Sequence, residues 1–283
     1  MTQRTESSEM RGAGAGGSAA ARLAAVLSNM EGPLAVAVSG GVDSVTLATF
    51  AHRTEPLRVE MFHAVSPAVP DEATTRVQDL AAARGWRLRT VDAGEFTDRN
   101  YLANPVDRCF FCKTNLYGAI ARLSEAQILS GANLDDLRDY RPGLEAARRH
   151  SVRHPYIEAG IDKKSVRALA RELGLGALSE LPSSPCLSSR VETGIAIRPE
   201  ALRAIHAVER GIARDFPAAT VRCRIRAKRV VIELDPETLA AIAGRREDEA
   251  RAEAARIFAG IADTADLKFE PYRVGSAFVH PRA

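Results

Sequence analysis

The stretch Leu34-Ala35-Val36-Ala37-Val38-Ser39-Gly40-Gly41-Val42-Asp43-Ser44-Val45-Thr46-Leu47-Ala48 decides the fold. It opens on a continuous apolar run, as expected of a strand buried on both faces. It closes on a second apolar run, with two adjacent glycines between them. The order predicts buried strand, tight loop, helix. Glycine lets the backbone turn sharply and brings its N–H groups near a ligand that a Cβ would keep away. The following helix aims its free N–H groups and positive dipole end at the loop, which suits an anion. Ser39 and Ser44 add hydroxyl donors. The Gly-Lys-Ser/Thr ending of a Walker P-loop is missing.

Outward from this loop, the pattern predicts a helix before it (about 19–28) and one after it (42–53). Leu57–Phe62 reads as a second strand, with His63–Pro67 as the loop at its end. Asp71–Arg84 reads as a helix closed by Gly85, and Trp86–Val91 as a third strand. The β-α-β-α-β order implies a parallel sheet with right-handed crossovers. Ligands in such sheets sit at the carboxyl ends of strands, so Ser39–Ser44 and Ser66-Pro67 share one rim. Asn104–Lys113 leads into a helix to about Leu123. A fourth strand, Ala126–Ser130, brings Gly131-Ala132-Asn133-Leu134-Asp135-Asp136 to the same rim, and Lys163–Leu173 is a further helix. The two prolines and four serines of Leu181–Arg190 break the pattern and set a domain boundary. The expected class is α/β. Residues 1–20 form a disordered tail, and 21–182 a parallel-sheet domain with helices on both faces. Residues 183–283 form a smaller α+β domain. In it, helix Pro199–Asp215 precedes a hairpin of Thr220–Arg226 and Arg229–Leu234. A long helix over Pro236–Ala259 and a strand over Ala265–Phe269 complete it.

Of the 283 residues, 46% are hydrophobic and 27% charged, an ordinary globular balance. The formal charge of +3 gives no global reason to invoke nucleic acid. No apolar run approaches the roughly 20 residues of a membrane span. The N-terminus lacks the apolar core of a signal peptide, so the expected setting is the cytoplasm. There, the four cysteines point to metal or chemistry rather than disulfides.

Cys109 and Cys112 form a C-x-x-C that shares one face of a helical turn. Cys186 lies in the distant Pro/Ser-rich loop. Three converging thiolates would leave one position open, as in a catalytic zinc site or a [4Fe–4S] cluster with one uncovered iron. A redox pair, or two buried apolar thiols beside Phe110 and Phe111, fits the spacing too. Cys223 is expected in the core. Arg222, Arg224 and Arg226 share one strand face, suited to phosphate or carboxylate, or simply a solvated surface. Arg190, just after Cys186, adds to the anionic prospect. His150 and His154 are four apart, but Pro155 follows directly, and no histidine spacing suggests a metal site.

Taken in order along the chain, these stretches resemble the LarE-type ATP-dependent sulfur transferases, PP-loop enzymes that form AMP and pyrophosphate. The matching stretches are Ser39–Ser44, Ser66-Pro67, Arg108-Cys109-x-x-Cys112-Lys113, Gly131–Asp136 and Asp139-Tyr140-Arg141-Pro142-Gly143. Pro185-Cys186-Leu187-Ser188-Ser189-Arg190 and Arg222-x-Arg224 with Glu233 complete the set. The resemblance runs from about residue 20 onward. One departure is Ala132, where the family commonly has Thr.

The resemblance implies adenylation of a carboxylate on pyridinium-3,5-biscarboxylic acid mononucleotide. Sulfur then displaces AMP to leave a thiocarboxylate, for a nickel-pincer nucleotide cofactor. It implies ATP and Mg²⁺ at Ser39, Gly40, Gly41, Asp43, Ser44, Ser66, Gly131, Asn133 and Asp136, with Asp43 on the metal ion and Lys113 offsetting phosphate charge. It implies substrate contacts at Arg190, Arg222, Arg224 and Glu233. Some members sacrifice the sulfur of the cysteine matching Cys186. Others hold a [4Fe–4S] cluster on three cysteines, and the presence of Cys109, Cys112 and Cys186 points to that variant. A homo-oligomer, with sulfide or another sulfur donor as co-substrate and neither nucleic acid nor membrane as partner, is expected. Competing expectations are another PP-loop enzyme (a tRNA thiolase or amide-forming ligase) and a non-catalytic nucleotide-binding regulator.

Overall fold

The computed structural model describes residues 17–138, 141–182, 184–217 and 219–277. Residues 1–16 of the expected tail, Asp139, Tyr140 and Ser183 lie outside them. Helix α1 (Ala19–Ser28) begins at Ser18, whose side chain accepts the Ala21 N–H. Strand β1 (Leu34–Ala37) then runs into the glycine loop and α2 (Val42–Thr54). β2 (Val59–Ala64), α3 (Asp71–Arg84) and β3 (Leu88–Val91) follow, then the short α4 (Arg99–Leu102) and α5 (Arg108–Leu123). β4 (Gln127–Leu129) completes a sheet of order β3-β2-β1-β4, parallel throughout.

Alternation along β1 explains its double burial. Leu34, Val36 and Val38 face the core shared with Leu27, Leu47, Leu169 and Tyr156. Ala35 and Ala37 face Phe62, Leu116, Tyr117 and Ile120. Each fully buried large side chain of this kind contributes roughly 1.5–3 kcal/mol. Helices therefore cover both faces, and all four carboxyl ends open on one rim.

Three helices follow: α6 (Pro142–Arg149) and α7 (Pro155–Glu158), both absent from the sequence expectation, and α8 (Lys163–Glu172), which was expected. The first two each start at a proline, which is tolerated at a helix's first turn and was read instead as a turn or breaker. After the Cys186 segment come α9 (Pro199–Asp215), β5 (Val221–Ile225) and β6 (Val230–Leu234), an antiparallel hairpin as expected. The single long helix expected over 236–259 is two, α10 (Pro236–Ile242) and α11 (Arg245–Ile257). Gly244 at φ +83° separates them. β7 (Lys268–Pro271) then adds to β6 in parallel. The core beneath this second sheet takes in Ala68 and Tyr101 from the first half of the chain. No helix among the described residues is long and apolar enough to cross a membrane.

Candidate active site

The glycine loop is held by its own serines. Ser44 Oγ accepts the Ser39 N–H at 3.0 Å and donates to the Gly41 carbonyl at 3.1 Å. Its 3.1 Å contact with Ser39 Oγ then has Ser39 as donor. Gly40 sits at φ +81°, and a Cβ there would lie 2.8 Å from the Ala73 carbonyl oxygen. Arg76 of α3 also donates to the Gly40 carbonyl. The first amides of α2 have no acceptor within the helix and face the loop. Gly131 shows why the fourth strand must end in glycine: its Cβ would lie 2.9 Å from the Ser44 nitrogen. That close approach carries Asn133 to Asp43, at 3.4 Å between Nδ2 and Oδ1.

Asp43 meets Lys163, the first residue of α8, through a carboxylate–ammonium contact of 2.5 Å. The Lys163 amide donates to Asp135 at 2.8 Å. Asp136 accepts the Asn133 N–H at 3.0 Å and pairs with Arg141. The rim thus alternates acids and cations around the open amides of α2. Ser66 closes a turn onto the Ala68 N–H. His63 on β2 is buried, linking Val38 and Thr74. Burial pushes its pKa down. Its Nδ1 donates to the Val38 carbonyl, and the side chain serves the fold.

The cysteines sit beside this rim. Cys109 and Cys112 lie in the first turns of α5, and Cys186 precedes a 3-10 turn over Leu187–Arg190. All three are partly exposed. Burial pushes the Cys112 thiol up to about 12, and the charge on Cys186 adds to it. Burial also raises Cys109, followed by Cys186, while Arg108, Lys113 and Arg141 offset the rise. The Lys113 ammonium lies 5.7 Å from the Tyr117 ring centroid. Among the described residues no group of three or more His, Cys, Asp or Glu side chains is gathered tightly enough for a metal ion.

Hydrogen bonds with four residues, Ala68, Tyr101, Leu102 and Asn104, stitch the Cys186 segment to the first half of the chain. The Leu187 N–H donates to the Ala68 carbonyl at 2.9 Å, and the Ile197 N–H to Leu102 at 2.8 Å. Tyr101 OH meets Ser188 Oγ at 2.6 Å. Asn104, at φ +53°, directs its amide at the carbonyls of Val191, Glu192 and Ile195 and accepts from Arg108. Asn tolerates that left-handed conformation, and here it locks the start of α5 to the segment after Cys186.

Arg190, Arg224 and Glu233, expected to contact substrate, are paired within the protein in this structure. Arg190 is buried and clamps Glu209 at 3.0 and 3.2 Å, while donating to the Pro185 and Cys186 carbonyls. Arg224 donates to Glu233, Ser189 and Arg273. Glu233 is fully buried and also accepts from Arg226 and Ser276. Spacing placed these arginines on one face correctly. It could not show that one carboxylate from the neighbouring strand, Glu233, pairs with both Arg224 and Arg226. Arg222 is half-buried, with its guanidinium 5.8 Å from the Tyr272 centroid. Cys223 is in the core, as expected. Replacing Glu233 with Leu strands two cations, so stability should fall by about 3–5 kcal/mol. Denaturant unfolding followed by circular dichroism measures this.

No family model matches the chain. It is 36% identical to an uncharacterized protein of Synechocystis over 72% of its length and 77% of the relative. It is 30% identical to the pyridinium-3,5-bisthiocarboxylic acid mononucleotide synthase of Lactiplantibacillus plantarum, covering 76% of this chain and 78% of that one. A probable tRNA sulfurtransferase of Methanothermobacter thermautotrophicus is 25% identical over 61% of this chain and 48% of its own. The chain belongs to the LarE family.

Two residues now join the candidate LarE-family site that sequence reasoning missed. Lys163 lies 120 positions from its partner Asp43, and only the packing of α8 beside α2 joins them. Its one prior signal was a lysine at the start of a helix, where cations are disfavoured unless an anion is near. Glu209, on α9, gave no signal at all.

Proposed function

We propose that this protein is an ATP-dependent sulfurtransferase that adenylates a carboxylate of pyridinium-3,5-biscarboxylic acid mononucleotide, releasing pyrophosphate, and converts it to a thiocarboxylate for a nickel-pincer nucleotide. The observation that carries the reading is the stitching of the Cys186 segment to Ala68, Tyr101 and Asn104. It sets thiols beside the strand ends that carry the glycine loop.

Carboxylates resist substitution because oxide is a poor leaving group, and adenylation replaces it with AMP. The α2 amides with Ser39 and Ser44 are suited to the charge that builds on departing pyrophosphate. Asp43 would hold Mg²⁺, which takes carboxylate and phosphate oxygens. Lys163 and Lys113 would offset phosphate charge. Arg222 would take the substrate's phosphate or second carboxylate, while Arg190 and Glu209 keep Cys186 in place.

The donor set fits a [4Fe–4S] cluster better than a single ion, since a cubane takes thiolates at separate corners. Cys109, Cys112 and Cys186 would hold it. Burial raises the thiols of Cys109 and Cys112, so binding as thiolates calls for the cationic counter-charge that a cluster brings. Once bound, it would supply an iron open to a sulfur ligand. Iron and acid-labile sulfide, measured per chain on anaerobically prepared protein, test this. Near-stoichiometric cluster is expected, lost in Cys109→Ala, Cys112→Ala and Cys186→Ala. Iron that persists in Cys186→Ala overturns the three-thiolate site.

A further inference from the structure

Glu95 opens a 3-10 turn directly after β3, at the same rim as the glycine loop. It is 3% exposed, and among the described residues its buried Oε2 has no hydrogen-bond partner. An unpaired buried carboxylate oxygen is costly, so natural sites rarely keep one without a use. Its charge reaches the Tyr101 hydroxyl and the Cys112 thiol. The next residue, Phe96, packs edge-on against Tyr101 at 5.5 Å. Phe96, Phe111, Cys112 and Cys186 all lie against one apolar cluster. Asp98, three residues on, is already paired with Asn115 and the Asn100 amide. Lys113 is turned to Tyr117 and the cysteines. The acceptor is therefore buried on the turn that packs, through Phe96 and Tyr101, into the cluster holding Cys112 and Cys186, and among the described residues it has no hydrogen-bond donor.

We propose that Glu95 is a positioning residue for the incoming sulfur co-substrate, its free oxygen accepting the S–H of hydrogen sulfide beside Cys112 and Cys186. This rests on the sulfur-transfer reading and deepens it, since it names the sulfur source as a small species bearing S–H. A carboxylate in an apolar surround favours a neutral donor and repels sulfur anions that lack S–H, such as thiosulfate. A charged-acceptor hydrogen bond of this kind corresponds to roughly tenfold or more in affinity.

The test uses full-length, anaerobically reconstituted protein, wild type and Glu95→Gln. Sulfide binding is read by equilibrium dialysis with radiolabelled sulfide, and turnover by thiocarboxylate formed against sulfide concentration. In Glu95→Gln, sulfide affinity should fall roughly tenfold and KM for sulfide rise by a similar factor. ATP-dependent pyrophosphate release and the unfolding midpoint should stay at wild-type values. Glu95→Ala serves as the second variant should the amide find a new partner. Equal sulfide affinity in wild type and both variants overturns the proposal, as does wild-type use of thiosulfate in place of sulfide. Wild type that binds sulfide but releases no pyrophosphate overturns the adenylation reading, with Glu95 still judged by the dialysis.

Discussion

Asp43→Asn will bind ATP but release pyrophosphate about 10²–10³-fold more slowly than wild type. The carboxylate has two partners available at different stages. In this structure it is paired with Lys163 and reached by Asn133. With nucleotide bound, Asp43 would hold Mg²⁺ through the same oxygens, which would leave the Lys163 ammonium free to face the phosphates. Asparagine keeps the shape and the Asn133 contact but cannot hold Mg²⁺ or the lysine. The loss should therefore lie in kcat, with ATP affinity preserved or improved because Lys163 is already free. Coupled pyrophosphate release, compared with nucleotide binding by calorimetry, separates the two. A variant that keeps wild-type turnover would remove Asp43 from the reaction.

The path from sequence to this site was uneven for physical reasons. The strand–loop–helix at residues 34–48 was legible because one local pattern fixes everything: apolar on both faces, paired glycines, then a helix. The rim followed from parallel topology alone, and in the structure Gly131 and Asn133 approach Ser44 and Asp43 there, with Asp136 tied to Asn133. Lys163 was not legible because its role depends on packing across 120 residues. Arg190 and Arg224 were read as ligand groups because a guanidinium looks the same whether it meets a phosphate or a buried glutamate. Only burial and the positions of Glu209 and Glu233 distinguish the two. The break at Gly244 shows the converse limit. A helical pattern that runs through a single glycine still carries α10 and α11 as separate helices.

Cys186→Ala will keep ATP- and substrate-dependent pyrophosphate release within a few-fold of wild type and form no thiocarboxylate. The structure explains why the variant should fold. Arg190 grips the Cys186 segment by the main-chain carbonyls of Pro185 and Cys186, and Leu187 is tied to Ala68 through its amide. None of these contacts involves the Cys186 sulfur. The side chain is only partly buried and alanine keeps its Cβ, so stability should change by no more than about 1 kcal/mol. On the proposed reading adenylation falls to the glycine loop, so the acyl adenylate should accumulate or hydrolyse. Rapid-quench assays for AMP, pyrophosphate and thiocarboxylate distinguish the half-reactions. The intact mass of wild type after turnover decides the source of the sulfur. Unchanged mass over many turnovers means sulfur reaches the acyl carbon from outside the chain. Loss of the mass of hydrogen sulfide, with turnover ending at one, means Cys186 gave up its own. Pyrophosphate release abolished by Cys186→Ala would mean that the cysteine segment, through its bond to Ala68, also shapes the nucleotide site.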